Sequence, residues 1–193
     1  MVGDSRPRWG WHRLERRWAV RLVADAGVRP GELVLDIGAG GGVVTQALLD
    51  AGAKVVAVEL HPRRAQRLRA RFAGCPVTVV QADAADLRLP RRPFRVVSNP
   101  PFAVLRPLLR RLLGPGSRLT TAHLVVPRHV ARRWCAPSAP GRGRWGPAFT
   151  VTLGRPVPRQ AFVPSPPQAA VVLVVCRRAS HHGDGDRRPR PLH

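Results

Sequence analysis

The 193-residue chain contains no tyrosine, a single lysine (Lys54), three cysteines and only 11 acidic residues. Each scarcity excludes something. Cys75, Cys135 and Cys176 are too dispersed for a paired zinc motif, and an odd count cannot close a full disulfide framework. A reduced, cytoplasmic setting with no metal site is therefore expected. No apolar run is long enough to span a bilayer, and the first residues, with Arg6, Arg8 and Trp9, lack the apolar core of a signal peptide. An Ala/Arg/Gly/Pro/Val-rich chain without tyrosine fits a GC-rich genome, but codon bias does not explain why acids fail to balance the basic residues. Lys+Arg total 33 and the formal net charge is +22, nearly all of it arginine. Arginine suits bidentate phosphate contact and stacking on bases, so a nucleic-acid partner is expected.

Strands and helices alternate along the chain. Residues 1–10 read as a basic flexible arm. From Trp11 to about Ala26, Leu14, Trp18, Leu22 and Val23 recur at helical spacing and stop at Gly27. Strands are predicted at 33–35, 54–60, 77–80, 96–98 and 122–126, with helices at 43–51, 62–73 and 105–113. This alternation predicts an α/β fold with a parallel sheet covered by helices on both faces. The apolar stretches 149–153 and 169–176 read as a closing antiparallel pair. Residues 179–193 read as a polar, basic, disordered tail, His181 and His182 included.

Two motifs carry chemistry. The turn Asp36-Ile37-Gly38-Ala39-Gly40-Gly41-Gly42 follows an apolar strand, where glycines let a cofactor approach the backbone closely. Val96-Val97-Ser98-Asn99-Pro100-Pro101-Phe102 ends another strand in a stiff turn. An exocyclic amine on a purine or an amide is a poor nucleophile until its lone pair is localised. The Asn99 side-chain oxygen and the Pro100 carbonyl, accepting from one NH2 group, would favour a tetrahedral nitrogen aimed at a sulfonium methyl. Phe102 would stack on the extruded base. Glu59, at the end of the second strand, is placed to accept from both ribose hydroxyls, and Asp83, after the third, from an adenine amine. Each acid has a plainer use: Glu59 as a charge at the helix start before His61-Pro62, Asp83 as a cap for Ala84-Ala85-Asp86. Together the strand ends suggest methyl transfer from S-adenosylmethionine to a nitrogen.

The pattern over residues 11–178 resembles the ribosomal RNA adenine N6-dimethyltransferases, which include the macrolide-resistance methylases and the dimethyladenosine transferases. The resemblance is carried by Leu35-Asp36-Ile37-Gly38-Ala39-Gly40, Val56-Ala57-Val58-Glu59, Gln81-Ala82-Asp83-Ala84, Ser98-Asn99-Pro100-Pro101-Phe102 and Ala161-Phe162-Val163-Pro164-Ser165-Pro166-Pro167. It is most similar to short actinobacterial forms without the C-terminal helical domain, especially in Trp9-Gly10-Trp11-His12-Arg13-Leu14. The resemblance implies a Rossmann-like, seven-stranded class I methyltransferase domain over residues 11–178. It further implies S-adenosylmethionine as cofactor, bound by Gly38, Gly40, Glu59, Asp83 and Asn99, with Phe102 holding the target adenine. Where the family has Gln-Asn-Phe or Gln-His-Phe, this chain has Trp11-His12-Arg13, so His12 and the following Leu14 are the matching residues for the methionine end of the cofactor. The implied activity is methylation of adenine N6 in large-subunit (23S) ribosomal RNA, by a monomer, with macrolide-type resistance as the outcome.

Arg106, Arg110 and Arg111 follow the catalytic turn on one predicted helix, where they could face phosphates of the RNA or remain a solvated face. Arg63, Arg64, Arg67 and Arg71 read as a solvated surface. Trp134 and Trp145, among arginines, suit either stacking on unpaired bases or burial. The rival readings are a DNA adenine or protein glutamine methylase, which also use Asn-Pro-Pro-aromatic, and a noncatalytic RNA-binding assembly protein with the same fold.

Overall fold

The computed structural model describes residues 12–179. The arm expected over 1–10, and the expected tail apart from Ala179, lie outside the described residues. The elements are β1 (Arg13–Leu14), α1 (Arg16–Ala26), β2 (Leu33–Ile37), α2 (Val43–Asp50), β3 (Lys54–Glu59), α3 (Pro62–Arg71), β4 (Val77–Gln81), β5 (Phe94–Ser98), α4 (Leu105–Leu112), β6 (Leu119–Pro127), α5 (Arg128–Cys135), α6 (Arg142–Trp145), β7 (Phe149–Val157), β8 (Phe162–Val163) and β9 (Ala170–Arg177). Seven strands form one sheet in the order β4-β3-β2-β5-β6-β9-β7. All pairings are parallel except those of β9, which runs antiparallel to both β6 and β7. This is the α/β sheet with a closing antiparallel pair that the alternation predicts.

The middle strands are apolar on both faces because both faces are covered. On one side α1 and α2 pack Ala19, Leu22, Val23, Val44 and Leu48 against Val34, Val55 and Val97. On the other, α4 presses Leu105, Leu108, Leu109 and Leu112, all buried, onto Phe94, Val96 and Leu124. Each such leucine contributes about 2 kcal/mol of burial. Helix α1 ends where the sequence says it must: Gly27 takes φ 58°, and its N–H returns to the Ala24 carbonyl.

Its beginning differs from the expectation. The helix predicted from Trp11 starts at Arg16, because Arg13 and Leu14 form a strand paired with Val163 and Phe162. Leu14 is buried in either conformation, so its spacing could not distinguish them. The pairing, reinforced by the Glu15 N–H donating to Ala161 O at 2.8 Å, decides for the strand. Helices α5 and α6 have no clear counterpart in the sequence pattern. They bury Trp134 and Trp145 with ring centroids 6.2 Å apart, and Trp145 Nε1 donates to Pro140 O at 2.9 Å. Both tryptophans are therefore core residues, and base stacking by them is excluded.

Candidate active site

Strand order reverses between β2 and β5, and in open α/β sheets the crevice beyond the carboxyl ends at that reversal holds ligands. The glycine turn leaves β2 and the Asn-Pro-Pro turn leaves β5, so parallel pairing sets the two motifs side by side. They touch at one point. Gly38 takes φ +75°, and a Cβ there would stand 2.5 Å from Pro101 Cδ. Only glycine fits both the backbone conformation and the close approach. The Gly38 and Ala39 N–H groups donate to Val58 O at 2.8 and 3.0 Å, tying the turn to β3.

Glu59, 6% exposed, accepts from the Gly40 N–H through Oε2 at 2.8 Å and from the His61 N–H through Oε1 at 2.9 Å. Gly40 and Glu59 are thus joined directly. Each carboxylate oxygen keeps a lone pair for a further donor. Glu59 also lines a cleft of about 240 Å³ with Gly38, Val58, Asp83, Pro101 and Val104. Asp83 is exposed at its rim, and its Oδ1 accepts from the Ala85 N–H at 2.8 Å, so it does form the turn cap that its sequence context allowed.

Asn99 is oriented by a residue 87 positions away. Its Nδ2 donates to the His12 carbonyl at 2.8 Å. A carbonyl can only accept, which fixes the amide with Oδ1 directed elsewhere. The His12 ring lies 6.1 Å from the Phe102 ring at 36°, and His12 Nδ1 meets Pro164 O at 2.9 Å. The proline-rich segment before β9 therefore reaches the Asn-Pro-Pro turn through His12. Pro100 is buried, and Phe102 is half-buried at the start of a 3-10 turn spanning Phe102–Val104. Leu14 adjoins the same region, but its side chain is 3% exposed and belongs to the core packed under α1.

Two further groups bear on the site. Asp36, next to last in β2, is 1% exposed and accepts from Thr45 Oγ1 at 2.6 Å. Burial pushes its carboxyl up to about 7, against the Thr45 hydrogen bonds and with a smaller push from the Glu59 charge. The sequence carried a signal for it, an acid where both neighbours point into a core, but its partner Thr45 lies on the next helix. Arg111 has a structural use as well: its guanidinium donates to Ala85 O and Leu87 O at 2.9 and 3.2 Å and pairs with Asp86 at 3.4 Å, so it braces the loop after β4. Arg106 and Arg110 are exposed on α4.

A doubly wound sheet with a glycine turn, two acids and an Asn-Pro-Pro turn at successive strand ends defines a class I methyltransferase fold. The crystal structure of the 23S rRNA methyltransferase ErmE superposes with a TM-score of 0.75 at 29% identity, covering 88% of this chain and 70% of that one. The model of the ribosomal RNA adenine dimethylases matches residues 14–187, and the chain belongs to that family. It is 38% identical over 188 residues to the ribosomal RNA small subunit methyltransferase A of Leifsonia xyli subsp. xyli, covering 88% of this chain and 65% of that protein. It is 39% identical over 170 residues to the mycinamicin-resistance protein MyrB of Micromonospora griseorubida, covering 86% of this chain and 54% of that protein. The chain thus spans between about half and two thirds of the length of these two relatives.

Proposed function

We propose that this chain transfers a methyl group from S-adenosylmethionine to the N6 amine of an adenine in large-subunit (23S) ribosomal RNA, and that the modification confers resistance to macrolide-type drugs. The observation that carries the reading is the fixed amide of Asn99, held by the His12 carbonyl beside the Phe102 ring.

The residues present suit the cofactor. Gly38, Glu59 and Asp83 line one cleft, and Glu59 keeps acceptor capacity toward it while its other lone pairs are satisfied by backbone N–H groups. Glu59 would hold the ribose hydroxyls, Asp83 the adenine amine, Gly38 and Gly40 the approach of the backbone, and His12, the Leu14 main chain and Asn99 the methionine end. When bound, the cofactor supplies an electrophilic methyl on a sulfonium. Asn99 Oδ1 and the Pro100 carbonyl accept from the target amine and draw its lone pair out of conjugation. Preset acceptors of this kind stabilise the transition state without reorganising during the reaction. Phe102 stacks on the base and holds the nitrogen in line. No strong base is required at the nitrogen, since the methylated amine is a strongly acidic cation whose proton passes to water once the methyl has moved.

The 23S assignment draws support from the likeness to ErmE and to MyrB, whose name records resistance. The Leifsonia relative, named for the small subunit, favours a second reading in which the adenine lies in 16S RNA. Transfer of labelled methyl to protein-free 23S RNA, 16S RNA and assembled subunits, with the modified adenine mapped by primer extension, separates them. Label at an adenine of 23S RNA is expected. Label confined to 16S RNA or small subunits would replace the large-subunit reading. Label on DNA or protein alone, or no binding of S-adenosylhomocysteine, would overturn the reading altogether.

A further inference from the structure

The described part of the chain holds eight acidic residues, and every one is engaged close to home. Glu15 pairs with Arg17, Asp25 with Arg155, Glu32 with Arg95 and Asp86 with Arg111. Asp36 accepts from Thr45, Asp50 from Gln46, Asp83 from the Ala85 N–H, and Glu59 from two backbone N–H groups. None of them meets Arg63, Arg67 or Arg69 of α3, which make no ion pair or hydrogen bond among the described residues.

Helix α3 is unusual for what this leaves. Its ten residues, PRRAQRLRAR, include five arginines and no acid, and only Ala65 and Leu68 are buried. Arg63, Arg67 and Arg71 recur every four residues, which sets like charges above one another on a helix and destabilises it. Arg63 and Arg64 also stand in the first turn, where the helix dipole disfavours cations. Arg71 is turned back, donating to Gly41 O at 2.6 Å and lying 5.0 Å from the Phe72 ring centre. Arg63, Arg67 and Arg69 are exposed. The helix begins at the rim of the cleft, which His61, Pro62 and Arg64 line together with Ala103 and Val104 from the turn that follows Phe102.

We infer that Arg63 and Arg67, one turn apart on the exposed side of α3, form a phosphate-binding face that holds the RNA backbone beside the cleft. This rests on the proposed RNA substrate. A polyanion is the partner that turns the unfavourable clustering into binding, because each arginine that reaches a phosphate releases a condensed counterion. The face would add electrostatic grip on the strand, and sequence selection would stay with the pocket around Asn99 and Phe102.

The test is a double variant, Arg63→Gln and Arg67→Gln, titrated with in vitro transcribed 23S RNA at several salt concentrations. Because the variant can no longer neutralise two phosphates, the slope of log affinity against log salt becomes shallower by about 1.5, and affinity at low salt falls by roughly fivefold or more. Calorimetric affinity for S-adenosylhomocysteine stays at the wild-type value. Relief of like-charge repulsion leaves the Tm unchanged or raises it by about 2 °C. An unchanged salt slope overturns the inference and leaves the methyltransferase reading standing. So does a Tm lowered by several degrees, which would assign the arginines to the fold. Unchanged RNA binding with lost binding to polyglutamate would assign the face to an acidic protein and equally overturn it. Wild-type protein that binds neither S-adenosylhomocysteine nor RNA instead sinks the proposed function on which the inference stands.

Discussion

The carboxyl edge of the sheet and the outer face of α3 handle charge in opposite ways. At the edge, each charge has an assigned partner: Glu59 sits on two backbone N–H groups, Asp36 on Thr45, and Asp83 on its own turn. On α3, Arg63 and Arg67 share an exposed side and meet no acid among the described residues. Charges that are fixed act at one atom, and charges left open act on whatever comes near. In the proposed reaction, methyl transfer to a single nitrogen would use the first kind, and a long polyanion would be gathered by the second. Changes at the edge should therefore abolish a step, and changes on the arginine faces should grade an affinity.

The largest effect is expected from Asn99→Ala. Loss of one preset acceptor lowers single-turnover methyl transfer at least about 100-fold, while RNA binding measured by filter retention is unchanged. Retained methylation would break the contrast, since the edge would then tolerate the loss of its central group.

Glu59→Gln should come next. A carboxamide presents an NH2 group to one of the two N–H donors that the carboxylate now satisfies, and it weakens the grip on the ribose hydroxyls. Calorimetric affinity for S-adenosylhomocysteine should fall by roughly tenfold to a hundredfold, with at least one charge-assisted hydrogen bond removed.

A pH experiment sharpens the same side of the comparison. The Asp36 carboxyl ionises at 3.8 in the unfolded chain and at about 7 in the fold. Between those values the fold binds more protons than the unfolded chain, so this group's contribution to stability declines as pH rises from about 4 to 7. At pH 8 the decline amounts to several kcal/mol, on the order of 4 for a shift of this size. His123 runs the other way. Burial, aided by Arg95, holds it down at about 4, so its contribution is lost as pH falls from 6.5 toward 4. Urea unfolding of the wild type and of Asp36→Asn at pH 5 and pH 8 isolates the first trend. The variant should gain relative stability at pH 8, and an equal difference at both pH values would refute the buried, neutral Asp36.

The smallest effects belong to the open charges. Arg106→Gln with Arg110→Gln should lower RNA affinity several-fold and flatten its salt dependence by about 1 to 1.5 units for two neutralised phosphates. Arg111→Gln should behave differently, because that side chain braces the loop carrying Asp83. Its main effect should appear in cofactor affinity, and an RNA-only effect would return Arg111 to the phosphate-binding set.

The motifs at the strand ends were legible because apolar strands, glycine turns and a proline-stiffened turn are local features. The order of Leu33–Ile37, Lys54–Glu59 and Phe94–Ser98 between helical segments was enough to imply the sheet. The start of α1 was not legible, since Leu14 is buried equally well in a helix or a strand, and its partner Phe162 is 148 positions away in sequence. The role of Trp134 and Trp145 was equally hidden, because an aromatic residue among arginines has the same local pattern whether it faces a base or the core.

The sequence by itself determined the motifs, their order along the chain and the excess of arginine over acid, because propensity, turn geometry and composition act locally. Only the tertiary structure decided which way Asn99 faces, which arginines stay open and which are tied down. Those outcomes depend on single atoms from distant segments: the His12 carbonyl on Asn99, the Ala85 and Leu87 carbonyls on Arg111, and Pro101 against Gly38. Hydrogen bonds and close packing reach only a few ångströms, so they come into being when the chain has closed around them.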